Sequence, residues 1–181
     1  TLLYSLLTTI NAYQTEVSTL KADHSVVLIL TVDTVRIDDK ADVEAALAAY
    51  DLLSDEAKAN LTTEKALLDS LLIKISEEEA EALAFTTDYS VALALTTTTV
   101  VVNDKADVEA AIAAYEALSA AAKAELTTEK TLLDSLLTTI NDYQTEVSTF
   151  KSDHANVLTL TVDTVRINDK ADVEAAIAAY D

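Results

Sequence analysis

The octapeptide DKADVEAA begins at Asp39, again at Asp104 and again at Asp169, while LLxSLL begins at Leu2, Leu67 and Leu132; both motifs step by 65 residues. A fixed period of that length restricts architecture more than any other feature of the chain. Each copy is a supersecondary block that cannot bury its apolar face alone, so successive blocks stack in tandem. The copies run 1–65, 66–130 and 131–181, the last truncated. Residues 1–51 and 131–181 are nearly identical, whereas the middle copy reads IKISEEEAEALAFTTDYS where the first reads TTINAYQTEVSTLKADHS. That alternation points to a duplicated block two copies long. The chain opens at Thr1 on a copy boundary and stops at Asp181 inside a helical pattern, so it reads as a segment of something longer.

Composition narrows the choice of element. There is no Gly, Pro, Cys, Met or Trp, although average usage gives roughly 13 Gly and 9 Pro in a chain of this size. Without them there is no residue of choice for positive φ, no fixed-φ turn and few helix breakers, which favours long helices with minimal connections. Half the residues are apolar, which separates the chain from disordered compositions. The balance of 32 acidic against 12 basic residues, a net charge of −20, repels phosphate backbones and anionic lipid. Nucleic acid and membrane surfaces are therefore not expected partners. No window approaches the roughly 18 apolar residues of a membrane span, and no signal-peptide pattern is visible. Zero cysteine excludes disulfides and thiolate metal sites without fixing a compartment.

Within a copy, Val43, Ala46, Leu47, Tyr50 and Leu53 lie on one face of an alanine-rich helix. Asp38 or Asp39 is its expected N-cap, with Asn103 or Asp104 and Asn168 or Asp169 in the other copies. Ser54, followed by Asp55 and Glu56, predicts a second cap and a short helix to Leu61. Thr62 or Thr63 then starts a third, long helix. In the last copy its apolar positions are Leu133, Leu136, Ile140, Tyr143, Val147, Phe150, His154 and Val157, a heptad seam. If helical throughout, about 33 residues make a rod of roughly 50 Å. The seam runs into 28–37, 93–102 and 158–167, where Thr and Val alternate with period 2. This predicts a short extended segment forming a strand between repeats or subunits; the alternatives are a lead-in to the next helix or a continuation of the long one. The expected fold class is mainly α: tandem 65-residue helical repeats with one long helix each, plus that Thr/Val segment.

The string DKADVEAAIAAYEALSAAAKAELTTEKTLLDSLL (104–137) resembles the tandem helical repeats of large bacterial cell-surface and secreted proteins. In those an aspartate-capped helix is followed by a short serine-capped helix and a leucine-rich one. The match rests on Asp104, Lys105, Val108, Glu109, Tyr115, Leu118, Ser119, Lys123, Leu126 and Glu129. Asp39, Lys40, Val43, Glu44, Tyr50, Leu53, Ser54, Lys58, Leu61 and Glu64 match in the same way. It covers about half of each copy. The resemblance implies a stalk, spacer or adhesin region outside the cell and carries no catalytic or ligand residues. The chain departs from it in having no glycine, and in its long seam and Thr/Val segment.

Residues that could carry chemistry have plainer uses. His24 and His154 share one copy position, filled by Tyr89 in the middle copy, which points to packing rather than metal or acid–base work. Asp33, Asp38, Asp39 and Asp42, repeated as Asp163, Asn168, Asp169 and Asp172, could gather around calcium. No glycine is present for a tight calcium loop, Thr98 replaces the first aspartate, and helix capping accounts for most of the cluster. Thr96 to Thr99, with Thr159, Thr161 and Thr164, could offer a hydroxyl array for ordering water; β-propensity on a half-buried strand is the simpler account. Tyr13, Tyr50, Tyr115, Tyr143 and Tyr180 read as core anchors, and Glu77, Glu78 and Glu79 as a charge run on a solvated face. No catalytic constellation, cofactor site or metal site is assigned. The expected function is a structural segment of an extracellular rod, stalk or filament whose partner is itself. The alternative is an adhesin holding a host or cell-surface protein on an exposed helix face.

Overall fold

The computed structural model describes residues 1–180. It is mainly helical, and no strand occurs among the described residues. Nine α-helices are described: α1 (Leu2–Asp23), α2 (Lys40–Asp51), α3 (Asp55–Ala59), α4 (Thr62–Asp88), α5 (Ser90–Leu93), α6 (Lys105–Ala117), α7 (Ala120–Glu125), α8 (Thr127–Asp153) and α9 (Lys170–Tyr180). Contacts divide the chain into two compact units. One comprises Thr1–Asp88 and Ala117–Thr127; the other comprises 89–116 and 128–180. Each unit draws residues from two successive sequence copies.

Helix starts follow the side-chain chemistry read from sequence. The Ser54 hydroxyl accepts from the Ala57 N–H at 3.3 Å, and the Ser119 hydroxyl accepts from Ala122 at 3.2 Å. Ahead of α2 the expected aspartate cap works one turn earlier. Asp39 accepts from the Arg36 N–H at 2.8 Å and closes the 3₁₀ turn Ile37–Asp39, as Asp104 does for Val101 and Asp169 for Arg166. No residue with positive φ occurs among the described residues. Helix ends are completed by side chains instead: Lys58 Nζ donates to the Asp51 carbonyl at 2.8 Å and Asn60 Nδ2 to Glu56 at 2.7 Å.

The predicted strands are not formed. Residues 28–37 fold as a 3₁₀ turn Val27–Ile29, a turn at 32–34 and the start of Ile37–Asp39; the other two segments also turn rather than extend. The threonines cause this. The Thr34 hydroxyl accepts from the Thr31 N–H at 2.9 Å, and the Val35 N–H bonds the Thr31 carbonyl at 2.9 Å. Thr96 with Thr99 and Thr161 with Thr164 make the same hydroxyl-to-amide bond at 2.9 and 2.8 Å. Side-chain bonding to the local backbone thus outcompetes the ladder that the alternation predicts. The long helix is also shorter than the seam: α8 ends at Asp153, and His154 and Val157 lie past it in turns.

In the first unit the core is Val27, Val35, Val43, Ala46, Leu68, Leu71 and Ile75, with Leu28, Leu30, Leu47, Leu67 and Leu72 packed against it. α2 therefore lays its Val43/Ala46 face on the N-terminal half of α4, and the Thr-turn tucks Val35 beneath. In the second unit Val108, Ala111 and Tyr115 of α6 and Leu133, Leu136 and Ile140 of α8 are buried. Phe150 of α8 meets Tyr180 of α9 edge-on at 6.0 Å.

Candidate functional site

Two kinds of helix-on-helix contact recur along the chain. The first is the N-terminal half of a long helix. On α4, Leu68, Leu71 and Ile75 are spaced at i, i+3 and i+7, so they form one stripe, fully buried under Val43 and Ala46. A polar latch closes its edge: Lys40 Nζ donates to both oxygens of Glu79, at 2.7 and 2.9 Å. That bond, opposed by desolvation, raises the Lys40 pKa. In the second unit Lys105, at the same copy position, donates to Asn141 at 2.9 Å and Gln144 at 2.8 Å.

The second kind is the C-terminal half of a long helix, which holds a serine-capped short helix. Glu16 of α1 accepts from the Ser54 N–H at 2.9 Å and the Ser54 hydroxyl at 2.7 Å, anchoring α3. Glu81 of α4, 65 positions on, accepts from the Ser119 N–H at 3.0 Å and anchors α7. Carboxylate-to-amide bonds at a helix start also complement the helix dipole. The Ser54 N–H and then its hydroxyl hold the Glu16 pKa below its ordinary value. Beside it Lys21 pairs with Glu64 at 2.7 Å, and that hydrogen bond lowers the Glu64 pKa.

At the same copy positions exposure differs sharply. Leu3, Leu6 and Ile10 of α1 are 77, 50 and 51 % exposed, whereas Leu68, Leu71 and Ile75, and Leu133, Leu136 and Ile140, are wholly buried. Further along α1, Ile10, Tyr13, Gln14, Val17 and Lys21 border a groove of about 620 Å³ with Glu56 and Asn60. On α8 the second half of the predicted seam is open: Tyr143 and Val147 are exposed, as is Glu146, which occupies the anchor position of Glu16 and Glu81.

The residues weighed for chemistry disperse. His154 lies 4.9 Å from the Phe150 ring, and His24 borders a small groove with Leu20, Ala49 and Leu53. Among the aspartates, Asp39 and Asp169 bond backbone amides, and Asp33 and Asp163 lend their carbonyls to Arg36 and Arg166. Among the described residues no group of three His, Cys, Asp or Glu stands close enough to hold a metal ion, and no helix is long and apolar enough to cross a membrane. Tyr50 lies under Lys58 and Lys65, with ammonium-to-ring distances of 5.9 and 5.7 Å.

The Glu77–Glu79 run is not one solvated face. Only Glu77 is exposed; Glu79 holds Lys40, and Glu78 is buried, with Lys74 at 3.3 Å and its Oε2 unpaired. Helical spacing already carries this, since 71, 75 and 78 share a stripe. The anchors Glu16 and Glu81 escape sequence reasoning because their partners lie 38 residues away. Their one signal is a glutamate recurring at the 65-residue period. No family model, no curated protein and no solved structure matches the chain.

Proposed function

We propose that this chain is a structural segment of an extracellular repetitive rod, stalk or filament, built from tandem 65-residue helical repeats and acting as a non-catalytic spacer. One observation carries the reading. Leu68, Leu71 and Ile75 are covered by a helix, KADVEAALAAY, whose sequence recurs almost unchanged as α6 and α9. A docking pair that is rewritten at a fixed period supports serial stacking, in which each interface transmits load to the next. Placement outside the cell rests on the resemblance to bacterial surface repeats. The net charge of −20 suits a surface that stays soluble and repels nucleic acid and anionic lipid.

Electron microscopy of the native material tests this. Rods or filaments of constant width are expected; discrete globular particles contradict it.

A second reading, an adhesin module, is favoured by the outer face of α4. Ile73 and Leu83 are 61 and 68 % exposed there, and Ile73, Ser76 and Ala80 border an open groove. The corresponding positions in the other copies are Thr8 and Ser18, and Thr138 and Ser148, so this apolar face belongs to the middle copy alone. Pull-down of a host surface protein that is lost in Ile73→Asp would support it; retention of that protein by Ile73→Asp would exclude this face.

A further inference from the structure

We propose that the outer face of α4 holds a basic amphipathic helix of a partner protein, which lays an apolar stripe over Ile73 and Leu83 and brings lysine or arginine to Asp69 and Glu77. The inference rests on the adhesin reading of this face and names the chemistry of what it holds.

α4 has helical neighbours in place along both of its halves. α2 covers Leu68, Leu71 and Ile75, and Glu81 anchors α7 through the Ser119 N–H. The opposite side of the helix stays uncovered beside them. There Ile73, Ser76, Ala80 and Leu83 follow one another at spacings of three, four and three, the seam that one helix offers another. All four are exposed. This seam is written into the middle copy alone. Its counterparts are Thr8, Asn11, Thr15 and Ser18 on α1, and Thr138, Asn141, Thr145 and Ser148 on α8. A helix that needed only a solvated back would keep such polar residues; two large apolar side chains in their place mark a surface that something covers.

The kind of cover follows from charge. Asp69 and Glu77 line the groove together with Ile73, Ser76 and Ala80. Asp69 pairs with Lys65 at 2.7 Å, yet its side chain stays 48 % exposed, and Glu77 is exposed as well. Around them lies a chain with a net charge of −20. A second copy would bring the same two carboxylates and the same excess to the contact, while anionic lipid and nucleic acid are repelled. A partner helix with cations flanking its own apolar stripe satisfies Ile73, Leu83 and both carboxylates at once. The seam is short, about 15 Å along the axis from Ile73 to Leu83. A contact of that size is weak and exchanging rather than permanent.

The probes are two synthetic helical peptides, each with leucine along one heptad seam. One carries lysine on the flanks of that seam and the other glutamate. Fluorescence anisotropy of each labelled peptide follows its binding to the full chain. The lysine peptide should bind about tenfold more tightly than the glutamate peptide, and its affinity should fall as salt is added. Ile73→Thr combined with Leu83→Ser gives α4 the residues that α1 and α8 already carry in a helix and leaves the net charge unchanged; circular dichroism checks that helicity is kept. This double variant should weaken lysine-peptide binding about tenfold. Glu77→Ala, which writes in the residue found at Ala12, should weaken binding and flatten its salt dependence. A lysine peptide that does not bind, equal binding of the two peptides, or binding indifferent to the double variant would each overturn the proposal, the last by showing attraction to net charge alone. The adhesin reading fails separately. A host protein that Ile73→Asp no longer captures, beside a lysine peptide that does not bind, keeps that reading and removes only the basic helix.

Discussion

At the scale of single residues, the clearest functional chemistry is a carboxylate gripping a helix start. Glu16 holds both the N–H and the hydroxyl of Ser54, and its pKa is lowered by those bonds. A depressed carboxylate contributes stability that is present above its unfolded pKa and disappears as pH falls through the lower folded value. The α1–α3 contact should therefore loosen on acidification below about pH 4, near and under the ordinary glutamate range. Glu16→Gln, which keeps an acceptor oxygen but cannot titrate, should flatten that acid limb when unfolding is followed by circular dichroism against pH. An unchanged acid limb would remove Glu16 from the account. Ser54→Ala takes away both the cap and a donor to Glu16, and it should cost about 1–2 kcal/mol in chemical denaturation.

At the scale of elements, identical side chains should have unequal value. Ile75→Ala removes a wholly buried group from the α2–α4 core and should cost about 2–5 kcal/mol, whereas Ile10→Ala, at the matching copy position, should stay within about 0.5 kcal/mol in dilute solution. Equal effects would refute the packing assignment. This scale also shows where the sequence could be read. Ser54 and Ser119 were legible as caps because a hydroxyl at a helix start answers a purely local need. The stripe at Leu133, Leu136 and Ile140 was legible because helical period alone defines it. The Thr/Val segments were misread, since alternation marks a strand only when the backbone has a partner; Thr34 and Thr99 satisfy it locally instead. Thr34→Val should release the Thr31 amide and speed its hydrogen exchange. The Glu16 and Glu81 anchors were illegible because no local pattern joins residues 38 apart.

For the whole molecule, 32 acidic residues against 12 basic ones leave a self-repelling charge. Ion pairs such as Lys40–Glu79, Lys65–Asp69 and Lys170–Glu174 lie at the surface, where each contributes little. Salt screens both terms, and with an excess this large the repulsion outweighs the pairs. The thermal midpoint should rise with added salt; a falling midpoint would mean the ion pairs dominate. The same leucine–isoleucine stripe recurs along the sequence, exposed on α1 at Leu3, Leu6 and Ile10 and buried on α8 at Leu133, Leu136 and Ile140. Hydrogen–deuterium exchange in dilute solution compares those two segments within one sample. Residues 2–11 and 132–141 differ only at Tyr4 and Asp134, so intrinsic exchange rates nearly cancel. Fast exchange in the first segment beside strong protection in the second is the predicted result. Equal protection of both would contradict the claim that a covering helix, rather than the long helix itself, holds the array together.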